Sequence, residues 1–152
     1  AWVWGQSNHF DHAHAGTSIT VSVATIPWLR TSFRGFIIGL WHEGQLYRFA
    51  TYTGAKITNL RLTDSHVILR VEDKHHRLEV KATRSEGGLL HAPYRTDMLQ
   101  RVTESLTAGI AVKLSDQADN VVFEGMGRHA GLEINGEIQQ IVDEQANTDM
   151  IE

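Results

Sequence analysis

Apolar and polar residues alternate with a period of two along most of this chain, a spacing that suits half-buried strands and not helices. From Thr17 to Ile26, Ile19, Val21 and Val23 alternate with Ser18, Thr20 and Ser22. Val67, Leu69 and Val71 oppose His66, Ile68 and Arg70, and Leu78, Val80 and Ala82 oppose Arg77, Glu79 and Lys81. Ile110, Val112 and Leu114 repeat the pattern, and shorter runs follow at Val121 to Glu124 and Gly131 to Ile134. Phe36 to Trp41 and Gln45 to Thr53 flank His42-Glu43-Gly44, a hairpin loop with Gly where a positive φ is needed. With Trp2 to Phe10, about nine strands are expected, joined mostly by short turns. An antiparallel meander of this kind closes as a barrel or folds into a β-sandwich, either of which hides its edges. A barrel of about eight strands leaves an interior wide enough for one small ligand. Only Thr96 to Leu106 could pass as a helix, while Arg84 to Arg95, with Gly87-Gly88 and Pro93, reads as a long loop.

At 152 residues the chain suits one β domain, placed at 1–137, followed by a polar tail at 138–152. The net charge of −4 without a Lys/Arg stripe argues against nucleic acid as a partner. The absence of cysteine excludes disulfides, a thiolate nucleophile and Cys-ligated metal centres. No apolar run approaches the ~20 residues of a membrane-spanning helix, and no signal peptide is visible. The chain opens without Met in the middle of a strand pattern, as expected of a piece whose natural N-terminus lies upstream.

Ten of the twelve aromatic residues lie at or before Tyr52, so one wall of the domain is aromatic-rich. Along Trp2 to Phe10 the even positions Trp2, Trp4, Gln6, Asn8 and Phe10 share a face. Turned inward, that face forms an apolar ligand wall with two placed amides, and Gln6 and Asn8 then need partners. As plain core, the indoles pack and the amides bond neighbouring backbone.

Trp2-x-Trp4-x-Gln6-x-Asn8-x-Phe10, followed by Ile38-Gly39-Leu40-x-His42-x-Gly44-x-x-Tyr47-x-Phe49, resembles the C-terminal half of the tocopherol cyclase family. Leu90-His91-x-Pro93 and Ala130-Gly131-Leu132-Glu133-x-x-Gly136 match in the same order. The resemblance implies a lipocalin-like β domain working with an N-terminal half of the same chain. It also implies cofactor-free, acid-catalysed closure of a phytyl-benzoquinol to a chromanol. The partner implied is a prenylated quinol or similar hydrophobic small molecule, with peripheral membrane contact. A cytoplasmic or membrane-associated setting goes with it, in a plastid if the source is a photosynthetic eukaryote.

Such a closure needs an acid to protonate an alkene, an acceptor for the phenol proton and a dry site to protect the cation. Trp2, Trp4, Trp41, Tyr47 and Phe49 supply aromatic faces for the cation; Gln6, Asn8 and His91 supply hydrogen bonds to quinol hydroxyls. The candidate acids are Glu133, His42 and Asp11. Plainer readings stand beside these: His42 solvated in a hairpin, Glu133 outward between Leu132 and Ile134, His91 bonded to a loop carbonyl, Tyr47 and Phe49 as core. His9, Asp11, His12 and His14 form the one metal-like cluster, but Ala13, Ala15 and Gly16 suggest a loop, and no metal is expected. Two further functions fit the fold: a non-catalytic isoprenoid or lipid carrier, and a carbohydrate-binding sandwich using Trp2, Trp4 and Trp28 on an outer face. A buried acid at the pocket separates catalysis from carriage.

Overall fold

The computed structural model describes residues 1–11, 16–84, 89–91 and 101–135. These form strands β1 (Trp2–Ser7), β2 (His9–Phe10), β3 (Ser18–Trp28), β4 (Thr31–His42), β5 (Gln45–Ala50) and β6 (Lys56–Leu62). They continue as β7 (His66–Glu72), β8 (His76–Thr83), β9 (Leu89–His91), β10 (Arg101–Asp116) and β11 (Val121–Asn135). One antiparallel sheet takes them all, in the order β5-β4-β3-β1-β11-β10-β8-β7-β6, with β2 on β11 and β9 on β10. The chain is thus the expected all-β, barrel-like meander, zipped in mid-sheet by its first and last strands. Val3 there faces Ile134 on one side and Val23 on the other.

The sheet stops at β5 and β6 for a geometric reason. Nine strands, each antiparallel to the next, leave the two end strands running in the same direction. Parallel neighbours need a crossover of about a dozen residues, whereas residues 51–55 alone join β5 to β6. A 3-10 turn at Thr51–Thr53 and Gly54 at φ 78° make that link. β6 therefore starts near where β5 stops, and the seam between them carries no ladder.

The inner face holds one contiguous core. Val3, Val21 and Val23 from one wall meet Leu60, Leu69 and Val80 from the other. The void left between them is about 20 Å³, close to the space of a single water. The expected apolar lumen is therefore occupied by its own side chains, the apolar residues of the two walls.

Three local expectations change. Residues 101–106, read as part of a helix, lie in β10, because their pairing with β11 outweighs a weak helical pattern. The long loop contains β9, paired to β10 through His91 and Arg101. The two short terminal runs merge into the single strand β11. His12, His14, residues 92–100 and the tail fall outside the described residues. The β4–β5 turn is as expected: Glu43 and Gly44 have φ of 51° and 75°, the mirror-image turn that follows strand twist.

The β10–β11 turn is tied by Asp116. Its Oδ1 accepts the backbone N–H groups of Ala118 and Asn120, and Oδ2 accepts the Asn120 amide at 3.1 Å. These bonds, the Asn120 side chain first, hold the Asp116 carboxyl below its ordinary range. A depressed folded-state value stabilises above the unfolded value of ~3.9 and is lost as pH falls through the folded one. Asp116→Ala is accordingly expected to lower the melting temperature at pH 7, with the gap to the parent closing below pH ~4 in thermal melts.

Candidate active site

β1 turns its odd residues inward. Val3, Gly5 and Ser7 are buried, while Trp2 is 37% exposed, Gln6 and Asn8 are exposed and Trp4 is half-buried. The even face is thus the outer face of the sheet, not the wall of a lumen. The cause is cross-strand: Val3 and Gly5 register with Val23 and Val21 and with Ile134 and Leu132, all core residues. Period two leaves Trp2, Trp4 and Gln6 no choice but the other side.

This placement joins them to Glu133. Trp4 is the direct cross-strand partner of Glu133, and Gln6 that of Gly131. The indole N–H of Trp2 donates to Glu133 Oε1 at 2.7 Å. The Trp4 ring lies over Gly131, where a Cβ would come within 3.1 Å of it. A carboxyl group, two indoles and an amide therefore stand side by side on adjacent strands. Across β3 the same face continues through Ser22 and Thr20 to Ile37 and Gly39 of β4. It ends on Trp41 and Leu46, which are partners in the β4–β5 pair. Ile37 and Leu46 are exposed apolar residues that the sequence reading missed; their alternation with buried Ile38 and partly buried Tyr47 was the available signal.

Phe10 leaves this face. Asn8 lies between β1 and β2, and opposite it β11 carries His129 in the left-handed region at φ 49°. Beyond that point the buried residues of β11 change from even to odd numbers, and Phe10 turns inward against Phe123, ring centroids 5.6 Å apart. Ser7 Oγ marks the reversal, donating to the Arg128 carbonyl at 2.7 Å.

The other candidates lie apart from Glu133. His42 is not solvated in its hairpin: it is 8% exposed, since it shares the inward side of β4 with Ile38 and Leu40. Its Nδ1 meets Thr17 Oγ1 at 3.2 Å, and its ring lies 4.5 Å from that of Phe123. Asp11 pairs with Arg128 at 2.6 Å between two exposed side chains, a contact of small energetic weight. Phe49 is core at 1% exposure. Tyr47, partly buried, meets the edge of the His76 ring at 5.2 Å beside an open hollow of about 460 Å³ along the seam. His91 is paired in β9, and its side chain lies outside the described residues. Among the described residues no group of three or more His, Cys, Asp or Glu could hold a metal ion.

A family model described as "Tocopherol cyclase-like" matches residues 1–136. Among curated proteins, the "Probable tocopherol cyclase, chloroplastic" of Oryza sativa subsp. japonica is 32% identical over 95 residues, covering 60% of this chain and 20% of that protein. The match thus spans about a fifth of its curated relative's length. No solved structure matches the chain.

Proposed function

Since the chain belongs to the tocopherol cyclase-like family, we propose that its outer face around Glu133 is one wall of a site that closes a prenylated benzoquinol to a chromanol. The observation that carries this reading is the convergence of Glu133, Trp2, Trp4 and Gln6 on neighbouring strands. Closure of this kind is an isomerisation. A proton moves from the acid to the alkene, the phenol oxygen bonds the tertiary cation, and the phenol proton is released. With Oε1 of Glu133 held by Trp2, Oε2 is the oxygen that carries the proton out and, as carboxylate, takes the phenol proton back. No net proton or electron is exchanged, so the step calls for no cofactor. Trp2 and Trp4 offer π faces to the cation, worth about 0.5–2 kcal/mol each, and Gln6 orients a ring hydroxyl.

A cation of this type survives only away from water, and this face is open in the chain by itself. A second surface laid over this face would complete the site and exclude water from it. The chloroplast location in the relative's name makes a plastid the natural setting if the source is photosynthetic. Incubating the protein from its complete reading frame with phytyl-quinol and related prenyl-quinols, with mass spectrometry of the products, tests the reading. A chromanol product is expected; prenyl-quinol recovered unchanged would contradict it.

Binding tests the wall separately. Trp4→Ala is expected to weaken a prenyl-quinol analogue about tenfold or more, as for a central aromatic contact, and Gln6→Ala less. Equal affinity in a folded Trp4→Ala protein would remove this face from the site. The outward side of Trp2 and Trp4 is also the side a sugar platform would use. Titration with oligosaccharides distinguishes that reading, since the apolar surroundings of Ile37, Trp41 and Leu46 predict no response. Carriage of a lipid inside the barrel would require the filled core to open.

A further inference from the structure

The β3–β4 hairpin outruns its neighbours. β1 pairs with β3 only as far as Ala24, and β5 pairs with β4 only from Ile37 onward. Past these points Ile26 to Phe33 forms a two-stranded ribbon, held by the pairs Ile26–Phe33, Pro27–Ser32 and Trp28–Thr31 around a Leu29-Arg30 turn. An isolated ribbon is marginal in water, and this one carries Trp28 at 62% exposure and Leu29 at 91%, with Ile26 and Phe33 also exposed.

Leu29 is the informative residue. It occupies the left-handed region at φ 54°, where a branched side chain is strained and Gly, Asn or Asp is the usual turn residue. In the Glu43-Gly44 turn at the opposite end of β4 the corresponding residue, Glu43 at φ 51°, also lies in the left-handed region but carries a charged side chain suited to solvent. Leu29 relieves no strain and, at this exposure, fills no core. Neither folding nor packing accounts for an apolar side chain there.

From these features we propose that the hairpin tip is a membrane-insertion device for an anionic lipid surface. Residues 25–34 contain Arg30 and Arg34 and no acidic residue, in a chain of net charge −4. Arginine pairs with lipid phosphates, while indole rings seek the bilayer interface. From Phe33 back to Leu29 the ribbon extends four residues, about 13 Å at strand rise, enough to cross the headgroup layer. Its unpaired backbone edges limit entry to the headgroup–acyl boundary, about 5–10 Å deep. A protein partner fits the tip less well, because a two-strand ribbon end offers far less than the ~800 Å² a side of a standard interface. The lipid contact does not rest on the cyclase reading.

Co-sedimentation with vesicles of phosphatidylcholine, with and without phosphatidylglycerol, tests it. The protein is expected to bind the anionic vesicles, with a blue shift in indole emission. Leu29→Gly, a residue the turn backbone prefers, keeps the fold and should lower partitioning about fivefold or more; Arg30→Ser should lower it about fivefold on anionic vesicles only. Binding unaltered by both substitutions, or none with either vesicle, would overturn the proposal. So would self-association that Leu29→Gly abolishes in sedimentation velocity, since the tip would then be a protein contact.

Discussion

Glu133→Gln is expected to reduce kcat for quinol closure by about 10²–10⁴-fold, the usual contribution of a positioned general acid, with KM little changed. Gln is nearly isosteric, and its carbonyl oxygen can accept the Trp2 indole N–H that now bonds Glu133 Oε1 at 2.7 Å. What it lacks is a carboxylic proton to give and a carboxylate to take one back. The Trp2–Glu133 bond lies at the surface, so stability should move by no more than about 1 kcal/mol, and a melting curve separates lost chemistry from lost fold. His42 cannot substitute, because it lies inside the core end on the opposite side of the sheet. An unchanged kcat in Glu133→Gln would reassign the acid.

Phe49→Ala is expected to cost about 3–5 kcal/mol of stability, the range for a buried Phe truncated in a packed core. The side chain is 1% exposed, its strand partner Ile38 is fully buried, and on its far side it borders the open hollow next to Tyr47. Edge strand β5 can relax along the open seam, which favours the lower part of that range. Urea unfolding would show a lowered midpoint with an unchanged slope. A loss under 1 kcal/mol accompanied by lost quinol binding would instead make Phe49 a ligand contact.

These two residues show what the sequence made legible. Period two identified the strands and paired Phe49 with Tyr47 on one side of β5, but period two does not say which side is in. In β1 the bulk of Trp2 and Trp4 suggested the inward side, whereas small Val3, Gly5 and Ser7 are the buried ones. Their inwardness is set by Val21, Val23, Leu132 and Ile134, and so by a register between the two ends of the chain that no local window contains. His42 was different: its parity with Ile38 and Leu40 was readable, and only its nearness to the turn suggested solvent. The reversal that sends Phe10 inward depends on the backbone of His129, a strand away, and left no local trace. The outward reading of Glu133 was correct in direction. Its meaning appeared only once the even face of β1 proved to be outward too.

A crystal structure of the protein with a non-cyclisable prenyl-quinol analogue tests the central claim most directly. The quinol ring is expected against Trp2, Trp4 and Gln6 on the outer face of the sheet, with a prenyl double bond within reach of Glu133 Oε2. An analogue lodged between Val21 and Leu69, with the core spread open around it, would instead place the site inside the barrel.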